Sequence, residues 1–332
     1  MGEFELLARM RERLTASGPR LRLGSGDDAA IAVPGGATAT SVDALIDGVH
    51  FRREWCSLAQ IGRKALATAL SDLAAMGAEP GEAYVVLGVP EDLDEEGCLE
   101  LLDGLAELAA ATGTNLAGGD LTRAPRLTLA TTVVGHAPGP ERFVTRAGAQ
   151  PGDVLALTGE IGGAAAGLLL LEARAEASSP FESDSDQNDE LVRLLARQLE
   201  PQPHLKAGQA LAEAGATAMI DLSDGLGGDA RHVAVASGVA LHIEAAALPI
   251  ATGVAEVATA AGRDPLELAV SGGEDYELLA ALPPERFGEA QAAVKESGLA
   301  LTRIGPVLAG EGVEVRLPDG GLLEATGFDQ LR

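Results

Sequence analysis

Apolar residues recur every three or four positions through SLAQIGRKALATALSDLAAMG (57–77), which predicts a helix with Ser57 at its start and Gly77 and Pro80 at its end. The same period predicts helices over 3–16 and 94–112. Short β-branched runs predict strands at ATATSVD (37–43), YVVLGV (84–89) and RLTLATTVVG (126–135). Helix and strand therefore alternate, which is the pattern of an α/β unit. The turn-rich HAPGPERFVTRAGAQPGD (136–153) interrupts this alternation. Beyond it, DVLALTG (153–159) opens a second α/β half, with helices expected near 160–177, 188–199, 204–215, 226–237 and 284–297. Strands are expected near 217–222, 239–244, 275–282 and 302–317. Two domains follow, 1–137 and 150–332, as a chain of 332 residues suggests. The acidic EASSPFESDSDQNDE (176–190) is expected to be a surface loop.

Composition narrows the function. With 46% hydrophobic residues the chain can fill a core, but only 3% are aromatic, so stacking platforms for bases are not expected. Fifty acidic residues against 24 Lys and Arg give a net charge of -26, the wrong sign for holding a nucleic-acid backbone. Cys56 and Cys98 form no metal-binding spacing, which fits a reducing cytoplasm. The start MGEFELLARMRERL has no long apolar region, so no signal peptide is expected. The longest apolar stretch, near 162–173, is well short of the roughly 18 residues of a membrane span.

Aspartates flanked by Gly or Ser recur beside short apolar segments: Asp27 and Asp28 in GSGDDAA, Asp43 in SVD, Asp72 in SDLAAMG, Asp120 in GGDLTR, Asp221 and Asp224 in IDLSDGL. Strand ends and glycine turns are where α/β folds place ligand groups. On its helix Asp72 projects beside Ile61, Ala65 and Met76, where an ionised carboxylate needs compensation. A metal is one answer; exposure, or pairing with Lys64, is another. Several aspartates in one place cannot all stay ionised unaided, and a hard divalent cation such as Mg²⁺ relieves that conflict. No GK dipeptide occurs, so this is not a P-loop protein. Gly225, Gly227 and Ala230 have dinucleotide-fingerprint spacing, but Asp221, Asp224 and Asp229 crowd the position of a metal-free pyrophosphate.

GSGDDAA, SVDALIDGVHF, KALATALSDLAAMGAEP, GGDLTR, TRAGAQPGDVLALTG, IDLSDGL and SGGEDYEL, in this order, resemble the thiamine-monophosphate kinase family of the aminoimidazole ribonucleotide synthetase-like superfamily. The likeness runs from about Glu3 to Phe328. It implies a two-domain α/β (α+β type) fold, a cytoplasmic homodimer paired through the N-terminal sheets, and ATP held between domains by aspartates and several Mg²⁺ ions. It implies metal ligation by Asp28, Ser41, Asp43, Asp72, Asp120, Asp221 and Asp224. Gly119, Asp120, Arg146 and Ser223 match nucleotide-contacting positions, and His50, Glu274 and Phe328 match positions lining thiamine monophosphate. Asp72, Asp120 and Arg146 are the residues expected to act on the transferred phosphoryl group. Where the family often carries a hydroxyl residue this chain has Val42, and Phe328 stands where some relatives have Tyr.

The implied activity is transfer of the γ-phosphoryl group of ATP to thiamine monophosphate. The alternatives are another ATP-using member of the superfamily, or a nucleotide- or metal-binding protein without turnover. Plainer roles also remain open for single residues: a turn histidine at His50, a surface arginine at Arg146, a solvated pair at Glu274 and Asp275, a core plug at Phe328.

Overall fold

A computed structural model describes residues 3–13, 19–25, 29–175, 189–324 and 326–328. Asp27 and Asp28, most of the acidic stretch 176–190, and the end of the helix expected over 3–16 lie outside the described residues. The chain divides into one unit of residues 1–73 and 78–143 and a second of residues 74–77 and 144–332. Among the described residues no helix is long and apolar enough to cross a membrane.

The first unit runs α1 (Glu3–Arg13), β1 (Leu21–Leu23), β2 (Ile31–Ala32), β3 (Ala37–Ile46), α2 (Leu58–Ala75), β4 (Glu79–Val89), α3 (Glu95–Thr112), β5 (Asn115–Arg123) and β6 (Thr128–Ala137). Its main sheet has the order β3-β6-β4-β5, antiparallel except for the parallel β4–β5 pair. Asp94 caps α3 by accepting the Gly97 N–H at 2.9 Å, and left-handed Gly113 (φ 72°) closes it. Helices α2 and α3 approach closely through Gly62 and Gly104, where a methyl group would overlap the carbonyl oxygens of Leu101 and Ala59. Leu45, Leu87 and Leu129 from the sheet join Ile61, Ala65, Leu99 and Leu101 from these helices in one core.

Two expectations in this unit change. GGDLTR is not a turn but part of β5, and β3 continues three residues past Asp43, so Asp43 and Asp120 lie within strands rather than at strand ends. Pro80 does not simply stop α2; it enters β4 at a register shift, where a missing N–H is tolerated.

The second unit comprises β7 (Val154–Thr158), α4 (Gly163–Ala175), α5 (Asp189–Leu199), α6 (Leu205–Glu213), β8 (Ala218–Asp221), α7 (Leu226–Ser237), β9 (Ala240–Glu244), α8 (Val254–Ala260), α9 (Pro265–Ser271), β10 (Leu278–Leu282), α10 (Phe287–Glu296), β11 (Leu301–Leu308), β12 (Gly312–Arg316) and β13 (Leu322–Leu323). The sheet order is β13-β12-β9-β11-β7-β10-β8, with β9–β12 parallel. The expected strand over 302–317 is two strands, β11 and β12, with β9 between them. Helices α8 and α9 were not expected; α9 starts at Asp264, whose carboxylate accepts the Glu267 N–H at 2.9 Å, with Pro265 at the first helical position.

Glu277 ties this sheet together. The Thr158 hydroxyl donates to the Glu277 carboxylate at 2.7 Å, and the Thr158 hydroxyl oxygen accepts the Leu278 N–H at 2.8 Å, joining β7 to β10. His204 lies 3.3 Å away and Arg197 4.0 Å. Burial opposes ionisation, but His204, Thr158 and Arg197 together outweigh it and hold the Glu277 carboxyl below its ordinary range.

Two outcomes follow from this packing. Gly104→Val should lower unfolding free energy by about 1–3 kcal/mol or more in urea titration, because a backbone carbonyl cannot move aside as a side chain can. Glu277→Gln should cost about 1–3 kcal/mol at neutral pH. Because the folded value is depressed, that contribution is complete above the ordinary value of 4.5 and disappears as pH falls through the lower folded value. Unfolding midpoints of variant and parent, compared from neutral pH downward, should therefore converge in acid; a constant gap would assign the loss to packing alone.

Candidate functional site

In the first unit Ser41, Asp43 and Asp72, three of the expected residues, lie where β3 meets α2. The Ser41 hydroxyl donates to Asp72 Oδ2, so the half-buried Asp72 carboxylate on the apolar flank of α2 has a polar neighbour on the sheet. Two residues along β3, Asp43 Oδ1 accepts the Ala44 N–H at 2.8 Å. Val42 between them is 66% exposed. Alternation along a strand puts its side chain on the opposite face, so it cannot replace a missing hydroxyl ligand.

The turn after β3 fixes His50. Its N–H donates to the Ile46 carbonyl at 3.0 Å, and its ring Nδ1 accepts the Ile46 N–H at 3.1 Å. An accepting Nδ1 assigns the ring proton to Nε2, so His50 offers a donor away from the turn.

Register shows which of the expected ligands come together. Cross-strand neighbours share a face, and one row reads Ser41, Val133, Ala83, Leu116, while Leu45, Leu129, Leu87 and Leu121 form another on the same, helix-packed face. Asp43 belongs to this face. The intervening rows are Val42, Thr132, Tyr84, Gly118 and Ala44, Ala130, Val86, Asp120. Asp120 is therefore on the other face and on the far edge strand, about 14 Å from β3 across three strand spacings. Ser41, Asp43 and Asp72 share one face; Asp120 does not join them within one unit. Strand packing already requires a glycine at 119, since a methyl group there would overlap the Val85 carbonyl oxygen.

In the second unit the expected residues gather at the turn from β8 into α7. Asp221 ends β8 and is buried, and Ser223 and Asp224 follow in the turn. Gly225 enters α7 at φ 103°, and a methyl group there would lie 2.9 Å from the Ser271 carbonyl. Asp229, in the first turn of α7, accepts the Asp224 N–H at 3.0 Å. Burial, together with Asp221 and Asp224, pushes the Asp229 carboxyl up to about 7; burial also raises that of Asp224. The positive charge of Arg146 acts in the opposite direction on both. Ser237 holds the Arg146 segment: its hydroxyl donates to the Arg146 carbonyl at 3.0 Å and accepts the N–H groups of Gly148 and Ala149 at 3.1 Å each. That fills the whole hydrogen-bonding capacity of a serine hydroxyl.

A second loop packs against this turn. The Glu274 N–H donates to the Ser223 carbonyl and the Tyr276 N–H to that of Leu222, both at 2.9 Å. Glu274 (φ 67°) and Tyr276 (φ 52°) are the non-glycine residues with positive φ among those described, and such strain gathers at functional sites. Gln198 donates to the Glu274 carboxylate. Asp275 has a different task, accepting the N–H groups of Gly162 at 2.6 Å and Ala164 at 3.0 Å at the start of α4. The Phe328 N–H donates to the Asp224 carbonyl at 2.9 Å, and its ring is 65% exposed, so it is not a core plug. Asp229, Gln198 and Ser237 were not expected as site residues; DGLGGD carried a visible signal for the first, and the other two had none.

Among the described residues no three His, Cys, Asp or Glu side chains are already gathered as a metal cluster, and Asp28 lies outside them. The donors nevertheless suit a hard divalent cation, being carboxylate and hydroxyl oxygens, and the crowding at Asp221, Asp224 and Asp229 favours positive charge.

Known proteins place the chain. Residues 26–137 match the N-terminal domain, and residues 150–318 the C-terminal domain, of AIR synthase related proteins. The thiamine-monophosphate kinase of Escherichia coli (strain K12) is 38% identical over 310 residues, covering 93% of this chain and 91% of that protein. The crystal structure of thiamine-monophosphate kinase from Stenotrophomonas maltophilia K279a superposes with a TM-score of 0.82 at 36% identity, covering 97% of this chain and 98% of the other. A structure of AaThiL complexed with AMPPCP and TMP gives 0.75 at 30% identity, covering 98% and 96%. Such similarity over nearly the whole length means that the chain belongs to the thiamine-monophosphate kinase family of AIR synthase related proteins.

Proposed function

We propose that this protein catalyses transfer of the γ-phosphoryl group of ATP to the phosphate of thiamine monophosphate, giving thiamine diphosphate and ADP. The observation that carries the reading is the match, over 98% of the chain, to a relative solved with an ATP analogue and TMP together. The attacking group is a phosphate oxygen whose second pKa lies near 6, so it is already ionised at neutral pH and needs no general base. What the protein must supply is alignment and relief of charge repulsion. A direct in-line displacement follows, with no phosphorylated side chain on the way.

Ser41, Asp43 and Asp72 in the first unit, and Asp221 and Asp224 in the second, are assigned to Mg²⁺, with Asp28 and Asp120 as further ligands. When bound, Mg²⁺ supplies the charge that allows two phosphate anions to approach. Arg146, held by Ser237, adds a cation on the nucleotide phosphates, and Gly119 and Ser223 offer backbone and hydroxyl groups to the nucleotide. His50 presents Nε2–H, Glu274 an acceptor and Phe328 an exposed aromatic face to the acceptor, whose thiazolium ring is a cation.

The active form is proposed to be a homodimer in the cytoplasm. Its supporting surface is the sheet face opposite α2, where Val42 is 66% and Val86 42% exposed. Pairing there would put Asp120 at the shared surface. Cys56 and Cys98 are free, as a reducing compartment allows.

Incubation of the purified protein with ATP, Mg²⁺ and thiamine monophosphate should yield thiamine diphosphate and ADP in equal amounts, with no product from free thiamine. ADP without the diphosphate would point to another superfamily member, and Mg²⁺-dependent ATP binding without turnover to a non-catalytic binder. Asp72→Asn should lower kcat/KM by about 100-fold or more with an unchanged melting temperature; near-parental turnover at limiting Mg²⁺ would remove Asp72 from the ligand set. Val86→Asp should shift the sedimentation of the protein from dimer to monomer, and an unchanged dimer would place the pairing surface elsewhere.

A further inference from the structure

Gln198 is on the last turn of α5, only 5% exposed, with its amide Nε2 donating to Glu274 Oε2. Long polar side chains are seldom buried unless their hydrogen bonding is used. The backbone turn that carries it is held as well. The Gln198 Cβ is packed against α4, where a methyl group on Gly167 would come within 3.0 Å of it. The adjacent Arg197 anchors the same helical turn, donating to the Glu160 carbonyl at 3.0 Å and to the Glu160 carboxylate at 2.7 Å.

Glu274 is equally constrained in its backbone. It is left-handed, bonded through its N–H to the Ser223 carbonyl, and preceded by Gly273, where a methyl group would overlap that carbonyl. With the main chain fixed, the remaining freedom of Glu274 is in its side-chain torsions, and Gln198 is the group on α5 that restricts them.

We propose that Gln198 is a positioning residue that fixes the orientation of the Glu274 carboxylate, and through it selects a 4-aminopyrimidine over a 4-oxo ring in the acceptor. This rests on the assignment of Glu274 to the acceptor site. An ionised carboxylate only accepts hydrogen bonds. A ring amino group donates to it, whereas a ring carbonyl presents a second acceptor and is repelled. Discrimination of this kind requires that the carboxylate be unable to turn away, because a site built for one hydrogen bond rejects the wrong partner only while its own group stays in place. A neutral amide donor meets that need without cancelling the charge of Glu274, as a lysine or arginine would.

The test compares thiamine monophosphate with its 4-oxo analogue as acceptor. Gln198→Met keeps the side-chain length and packing but removes the donor, and its melting temperature checks the fold. It should raise the KM for thiamine monophosphate about tenfold, leave the KM for ATP and kcat within about twofold, and narrow the kcat/KM ratio between the two acceptors. Glu274→Gln should change the same two quantities, and the double variant should be no worse than Glu274→Gln alone. If Glu274→Gln alters both quantities while folded Gln198→Met alters neither, Gln198 has no positioning role. If Glu274→Gln leaves both unchanged, the assignment of Glu274 to the acceptor fails, and the proposal fails with it.

Discussion

Carboxylates taken out of water must be met by hydrogen bonds or by charge, and a chain with 50 acidic residues and 24 Lys and Arg has too few cations to meet them all. The second unit meets them mainly with donors of its own. Asp275 takes two N–H groups at the start of α4, Asp229 takes that of Asp224, and Glu277 takes a hydroxyl beside His204. Each of these bonds also ties one segment to another. Asp275 joins the strained loop to α4, Glu277 joins β10 to β7, and Asp229 closes the β8–α7 turn. The acids that organise this unit and those assigned to chemistry thus lie within a few residues of one another, in DLSDGLGGD and in GGEDYE.

That proximity limits what the sequence could disclose. Helices with strong periodicity were legible: the one expected over 57–77 is Leu58–Ala75, and that over 94–112 is Glu95–Thr112. The β5 strand was hidden by Gly118 and Gly119, residues that read as a turn but here allow β4 and β5 to approach. Helix α9 carried a readable start in DPLE, and its seven residues were too few for periodicity to register. Among site residues, helical spacing disclosed the face of Asp72, but the faces of the strand aspartates were not visible. Only the register separates Asp120 from Asp43, because facing depends on the β-sheet pairing of residues far apart in sequence. Gln198 was illegible for the same reason, since its partner lies 76 residues away.

Strand β3 shows how closely chemistry and surface are joined in this fold. Ser41 and Asp43 point to the face packed on α2, and Val42 to the exposed face, so three consecutive residues serve two surfaces. A one-residue slip of β3 against β6 would exchange them, burying a valine beside Asp72 and exposing the hydroxyl and carboxylate. The ten paired positions from Ala37 to Ile46 hold that register without a bulge. By contrast, β4 carries register shifts against both of its neighbours. The unpaired residues fall on central β4, at Gly81, and on the opposite edge strand β5, at Ala117, whereas the β3 edge that carries Ser41 and Asp43 is regular. A regular edge is exposed to unwanted pairing, so its retention here implies that the spacing of Ser41 and Asp43 relative to α2 constrains the strand more strongly than protection of the edge does.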